Sequence, residues 1–196
     1  MTYDNFKKIL QHEISHLYLH QINNKFPSWF NEGFAMYNAH EFNINRKINI
    51  SWNLLLRRTV DLHQLKNFLS LSKSQSYLYY AQSAASIEAM IFYYGHDILY
   101  NILSYIKQGN NFNQAFFKAT GGDTVDKFSV KYTSYLNDHF RFLFIYQFQK
   151  IIFFLIPFLL LTIWFYKKKK NKKIIKLWEI EDQLKEFEDT KSDNQN

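Results

Sequence analysis

The sequence predicts a mainly α-helical domain, because helix breakers are rare and few segments carry a strand pattern. Only 2 Pro and 5 Gly occur among 196 residues, so long segments run without interruption. Runs that alternate apolar with polar residues, as half-buried strands do, are scarce. Hydrophobic residues make up 47% of the chain and aromatic residues 19%, which is enough for one domain with a sizeable core.

The helices can be placed in order from their hydrophobic periodicity and from the residues that end them. Ser28 can cap the second helix, and Gly109 and the pair Gly121 and Gly122 mark the ends of later ones. The predicted helices cover residues 3–21, 28–40, 51–70 in one or two pieces, 76–94, 97–107, 112–119 and 123–140.

The first predicted helix carries the pattern HExxH at residues 12–16. Residues four apart lie on one face of a helix, so His12 and His16 can offer imidazole nitrogens to the same metal ion. Glu13 lies about 100° around the helix, beside the metal rather than on it. A catalytic zinc takes three protein ligands and keeps a fourth position for water, so a third ligand is required.

The block WFNEGFA at residues 29–35 supplies that ligand in Glu32. A loop from about 21 to 25 is long enough to fold the second helix back on the first, and Gly33 would let the two backbones approach closely. Two imidazoles and one carboxylate suit Zn²⁺. The sequence therefore predicts one zinc ion held by His12, His16 and Glu32.

The two motifs together resemble those of the gluzincins, zinc metallopeptidases with HExxH and a downstream helical Glu. The short spacing, with fifteen residues between His16 and Glu32, better resembles the bacterial peptidase MA-like domains, in which a membrane-spanning helix often follows. The segment YYAQS at 79–83 is similar to a later helix of these domains, and the resemblance covers about residues 5 to 140. In gluzincins a β-sheet precedes the HExxH helix, whereas eleven residues precede His12 here. The expected fold is therefore the helical C-terminal part of a gluzincin catalytic domain, at residues 1–140, without its N-terminal β part.

The resemblance implies hydrolysis of a peptide or protein substrate by zinc-activated water. Glu13 would act as general base towards that water and then as general acid towards the leaving amine. A hydroxyl donor usually helps to stabilise the oxyanion, and Tyr80 is the predicted donor, with Tyr79 as the substitute.

Further polar residues are candidates for the surroundings of the metal. Asn31, Asn38 and Glu88 could each hold the second ring nitrogen of a ligand histidine, and the sequence does not choose among them. His20 lies one turn beyond His16 and is expected to line the cleft. The remaining histidines have no partner at ligand spacing and are expected to be packing or surface residues: His40, His63, His96 and His139.

The chain changes character after residue 140. Residues 143–166 are nearly all apolar or aromatic and predict one transmembrane helix. Six lysines among residues 167–173 follow it and predict a cytoplasmic, basic juxtamembrane segment and charged tail at 167–196, with the peptidase domain outside the cytoplasm. The lysines would contact anionic lipid rather than nucleic acid, since no pattern of an RNA-binding module accompanies them.

Two function classes remain open from the sequence. The first is a membrane-anchored zinc metallopeptidase, which the general base Glu13 favours. The second is a non-catalytic or truncated zinc-binding membrane protein with a structural or partner-binding role. The absence of Cys excludes a disulfide framework. Residues 1–10 contain no apolar core of a signal peptide, which suggests the C-terminal part of a longer protein or a shortened descendant of one. A peptidase facing the cytoplasm is a third, narrower possibility.

Overall fold

The structure is a computed structural model of the whole chain. It describes the backbone of residues 3–23, 25–66 and 71–193, and the side chains of these residues except those of 149–151, 154, 179 and 182–193. The chain divides into two compact units, Met1–Ile145 and Tyr146–Asn196. The first unit contains the candidate site.

The first unit is built from seven α-helices and one short 3-10 helix within the described residues, with no strand among them. The prediction of a mainly α fold is confirmed. The α-helices are α1 Tyr3–Ile22, α2 Ser28–Asn38, α3 Ile44–Leu55, α4 Lys73–Tyr94, α5 Ile98–Lys107, α6 Phe112–Ala119 and α7 Val125–Phe140, and the 3-10 helix is Leu62–Gln64.

The third helix departs most from its predicted bounds of 51–70. It begins at Ile44 because Asn43 caps it, accepting hydrogen bonds from the backbone N–H groups of Asn45 and Arg46. It ends at Leu55, and Arg57 then adopts a left-handed conformation with φ 53°. Residues 67–70 of the predicted helix lie outside the described residues.

Helix α4 lies at the centre of the unit and packs against α2, α3, α5 and α7. Ten of its residues are buried, and six of the eleven residues of α2 are buried as well. A Cβ atom added to Gly33 of α2 would lie 2.3 Å from the carbonyl oxygen of Ser83 in α4. Gly33 therefore permits a close helix contact, but the prediction that its partner is α1 is wrong.

Aromatic side chains fill the core between α2, α6 and α7. Phe30 is fully buried, and its ring centroid lies 5.0 Å from that of Phe112. Trp29 packs edge-on against Phe112 at 5.8 Å, and Phe116 lies 5.5 Å from Phe128. Because two consecutive aromatic residues of α2 enter this core, the N-terminal half of α2, which carries Glu32, is held firmly in place.

The predicted transmembrane helix at 143–166 is wrong. Among the residues whose side chains the structure describes, no helix is long and apolar enough to cross a membrane. Helix α8, Ile145–Asp193, covers this segment and runs on through the lysines. Its uncharged run, residues 151–166, spans about 24 Å at 1.5 Å per residue, which is less than the bilayer core of about 30 Å.

Candidate metal centre

The predicted ligands come together where α1 packs across α2. The Nε2 atoms of His12 and His16 lie 3.1 Å apart. The Oε2 atom of Glu32 lies 3.8 Å from the first and 3.5 Å from the second. Within the described part of the chain, these three residues form the one group of acidic or histidine side chains that could hold a metal ion.

The spacing of these three atoms fits a tetrahedral zinc site. Ligands about 2.0–2.1 Å from a common zinc ion lie about 3.3–3.5 Å from one another when the angles are tetrahedral. The observed separations of 3.1, 3.5 and 3.8 Å bracket this value. Two nitrogens and one carboxylate oxygen are also a ligand set that zinc accepts, and three protein ligands leave one position free.

Pro27 sets the direction of α2 and hence the position of Glu32. Its carbonyl oxygen accepts hydrogen bonds from the backbone N–H groups of Phe30 and Asn31, both at 3.0 Å. Pro27 occupies the cap position without a side-chain hydrogen bond, so the prediction that Ser28 caps the helix is wrong. Ser28 is instead the first residue of α2, and Glu32 follows one turn later.

The three ligand side chains shift one another's pKa values when no metal is bound. Contact with Glu32, and after it with Glu41, raises the pKa of His12 to about 9, and Glu32 also raises the pKa of His16. Burial opposes ionisation of Glu32, but the two histidines outweigh it and lower its pKa to about 2. His12 therefore carries a proton near neutral pH, and a metal ion has to displace it.

Each ligand histidine faces a polar side chain at its second ring nitrogen. The Oδ1 atom of Asn31 lies 3.2 Å from Nδ1 of His16, so one of the three predicted candidates takes this place. The other two do not: Asn38 donates to the Ser15 hydroxyl, and Glu88 pairs with Lys47.

Nδ1 of His12 faces Glu41, a residue that sequence reasoning missed. Its Oε2 lies 3.4 Å away, an ion-pair contact rather than a well-formed hydrogen bond. Glu41 lies in the loop after α2, where no helical spacing connects it to His12, so no sequence pattern indicates this contact.

A family comparison agrees with this geometry. The family model of the peptidase MA superfamily matches residues 3–137, which is more than half of the chain and includes every ligand. The chain belongs to the peptidase MA superfamily. No curated protein and no solved structure matches the chain.

The candidate site of this peptidase MA domain opens into a cleft of about 480 Å³. Glu13, which is exposed, lines the cleft together with the ligands His16 and Glu32. His20 also lines it, as expected for a histidine too far along α1 to be a ligand. A larger cleft of about 720 Å³ lies between the start of α2 and the start of α7, and none of its lining residues is a ligand.

The two predicted oxyanion donors lie on different sides of α4. Burial, and after it the negative charge of Glu32, raises the pKa of Tyr80, and the charge of Glu13 acts in the same direction. Tyr80 therefore lies within electrostatic reach of the metal ligands. Tyr79 instead lines a separate pocket with residues of α3, including Asn49 and Asn53.

Proposed function

We propose that this peptidase MA domain is a zinc-dependent metallopeptidase that hydrolyses peptide bonds. The observation that carries the proposal is the spacing of Nε2 of His12, Nε2 of His16 and Oε2 of Glu32, which matches three corners of a zinc tetrahedron. These residues would hold the ion. A bound zinc ion lowers the pKa of water towards about 7 and polarises a carbonyl group, which is the chemistry that peptide hydrolysis needs.

Glu13 moves the protons in this proposal. It follows His12 directly on α1, is exposed, and lines the same cleft as His16 and Glu32. Its carboxylate accepts the proton of the attacking water and then donates it to the leaving amine, so that the C–N bond breaks with a neutral leaving group. A structural zinc site needs no such base and usually closes with four protein ligands, whereas three are grouped here within the described residues.

The test is the substitution Glu13→Gln in the zinc-loaded protein. Peptide hydrolysis should fall by about 10² to 10⁴, the usual contribution of a general base, while the bound zinc stays at one ion per chain. Asp4→Asn is the matched control, because it removes one carboxylate from the same helix at an exposed position. Hydrolysis that survives Glu13→Gln undiminished would show that the mechanism is wrong.

Tyr80 is the proposed donor to the oxyanion. Its hydroxyl keeps its proton at neutral pH, since burial and Glu32 raise its pKa above the ordinary value. Tyr80→Phe should lower kcat by about 10²–10³, as the loss of one such donor does in other hydrolases, with a smaller change in KM. Tyr79→Phe is the control from the next position of α4. Equal losses in the two variants would remove Tyr80 from this role.

The location of the domain outside the cytoplasm stays a prediction. It rested on the lysines among residues 167–173 together with the predicted span at 143–166, and that span is wrong. Protease added to intact cells should cleave the peptidase domain if it lies outside the cytoplasm. A domain that resists protease until the cells are opened would show the reverse orientation.

A further inference from the structure

The second ring nitrogen of His12 is buried and needs an acceptor. When Nε2 binds a metal ion, a neutral imidazole carries its proton on Nδ1, and the acceptor of that proton fixes both the tautomer and the ring orientation. Nδ1 of His12 has no hydrogen-bond partner among the described residues. The Oε2 atom of Glu41 lies 3.4 Å from it.

The chain after α2 is folded so that Glu41 returns to α1. Helix α2 ends at Asn38, and His40 adopts a left-handed conformation with φ 52°, which is strained for a residue that carries a side chain. The backbone N–H of Glu41 then donates to the carbonyl oxygen of Met36 at 3.0 Å, and its own carbonyl oxygen accepts from Asn43 at 2.9 Å. Glu41 is therefore fixed by its backbone on both sides.

Arg46 supports the carboxylate of Glu41 from the next helix. Its Nη2 atom lies 4.0 Å from Oε2 of Glu41, and its guanidinium stacks over the ring of Tyr77 at 4.7 Å. The same carboxylate oxygen therefore lies between the imidazole of His12 and a guanidinium that α4 holds in place. Both carboxylate contacts are largely shielded from water, since the Glu41 side chain is 21% exposed.

We propose that Glu41 is a positioning residue of the metal centre, which accepts the Nδ1 proton of His12 and sets the affinity of the site for its metal ion. Arg46 and the turn at His40 hold Glu41 in place for this purpose. The inference rests on the metal-binding part of the proposed function and not on the hydrolytic step, so it is tested without a substrate.

The test measures the zinc dissociation constant of the purified full chain by competition with a chelator. Glu41→Gln keeps the size of the side chain but removes its charge, and it should raise the dissociation constant about 10- to 100-fold. Glu88→Gln is the matched control. Glu88 is also a partly buried Glu, 25% exposed, and it pairs with Lys47 at 2.8 Å away from the ligands.

The comparison of the two variants decides the proposal. Loss of zinc affinity in Glu41→Gln but not in Glu88→Gln supports it. An unchanged dissociation constant in Glu41→Gln overturns it, and so does an equal loss in both variants, since that would show a general effect of removing a paired carboxylate. Circular dichroism checks that each metal-free variant is folded. If Glu41→Gln does not fold, Glu41→Asp replaces it. The shorter side chain moves the carboxylate away from His12 by the length of one methylene group, and the same outcomes support or overturn the proposal.

A third variant tests the turn separately. His40→Gly removes the strain of the left-handed conformation and leaves Glu41 unchanged. It should keep the zinc dissociation constant of the unsubstituted protein and raise the midpoint of urea unfolding. Weaker zinc binding in this variant would show that the His40 side chain, and not the placement of Glu41, affects the metal. Hydrolysis by the unsubstituted protein tests the proposed function independently of these results.

Discussion

Helices α1 and α2 both provide ligands to the metal centre, but α2 is mostly buried and α1 is mostly exposed. Helix α2 buries six of its eleven residues and carries Glu32 on a framework fixed by the aromatic core and by α4. Helix α1 buries only Ser15 and Leu19 of its twenty residues, although it carries both histidines and Glu13. The difference indicates that packing positions the carboxylate ligand, whereas α1 has little buried packing of its own to position the two histidines.

Substitution at the contact between α2 and α4 should have the largest effect on stability. A methyl group at residue 33 would lie 2.3 Å from the carbonyl oxygen of Ser83, so the two helices must move apart. Gly33→Ala should therefore lower the free energy of unfolding by about 3 kcal/mol. Ile14→Ala on α1, where the side chain is 53% exposed, should change it by no more than about 0.5 kcal/mol. Urea unfolding of the metal-free proteins measures both, and equal losses would contradict the contrast between the two helices.

Metal binding should stabilise α1 more than α2. Zinc at 100 times its dissociation constant should raise the free energy of unfolding by about 2.7 kcal/mol. Hydrogen exchange of the amides near His12 and His16 should slow more than that of the amides near Phe34, which the core already protects. Slowing to the same degree in both helices would show that α1 is already fixed without the metal.

Two asparagines of α2 distinguish a contact that orients a metal ligand from one that only holds α1 against α2. Asn31 lies against Nδ1 of His16, whereas Asn38 donates to the hydroxyl of Ser15, which is not a ligand. Asn31→Ala should weaken zinc binding about tenfold, or about 1.4 kcal/mol. Asn38→Ala should leave the zinc dissociation constant unchanged, and a similar loss in both variants would mean that the asparagines act by holding α1 rather than by orienting His16.

The smallest effect should come from an ion pair outside the metal centre. The hydrogen bond from Lys131, and after it that from Tyr94, lowers the pKa of Asp123 in the folded state. A lowered pKa gives stability that is present above the unfolded value of about 3.9 and is lost as pH falls through the folded value. Asp123→Asn should therefore cost about 1 kcal/mol at pH 7, because Lys131 is partly exposed, and nothing once the carboxyl is protonated. Urea unfolding at a series of pH values from 7 downward measures the cost, which should shrink as the pH falls, and a cost that stays constant into acid would contradict the assignment.

The ligand set could be predicted because each part of it depends on local spacing. His12 and His16 are one helical turn apart, and Glu32 lies in a helix that no Pro interrupts, so the structure brings the three predicted residues together. The bounds of α1, α5 and α6 were predicted to within one residue for the same reason. Gly109 and Gly121 end α5 and α6 with φ of 92° and 73°, as the sequence indicated.

The features that depend on tertiary contacts could not be predicted. Glu41 reaches His12 through a turn that requires a left-handed His40, a residue type that gives little signal for this conformation. The partner of Gly33 is Ser83 of α4, fifty residues later in the chain, so only the packed structure could reveal it. The predicted membrane span at 143–166 is wrong because it added residues 143–150 to the uncharged run at 151–166. That run alone is too short to cross a bilayer.

The packing of α2 on α4 also has a consequence for how the protein is made. All three predicted ligands have been synthesised once residue 32 is added to the chain. The helix that supports Glu32, α4, is complete only at residue 94. At about 5–20 residues per second, the ribosome needs roughly 3–12 s to make the intervening chain. During this interval the ligands have been synthesised but lack their scaffold, so a metal site of the correct geometry forms only after α4 has been synthesised.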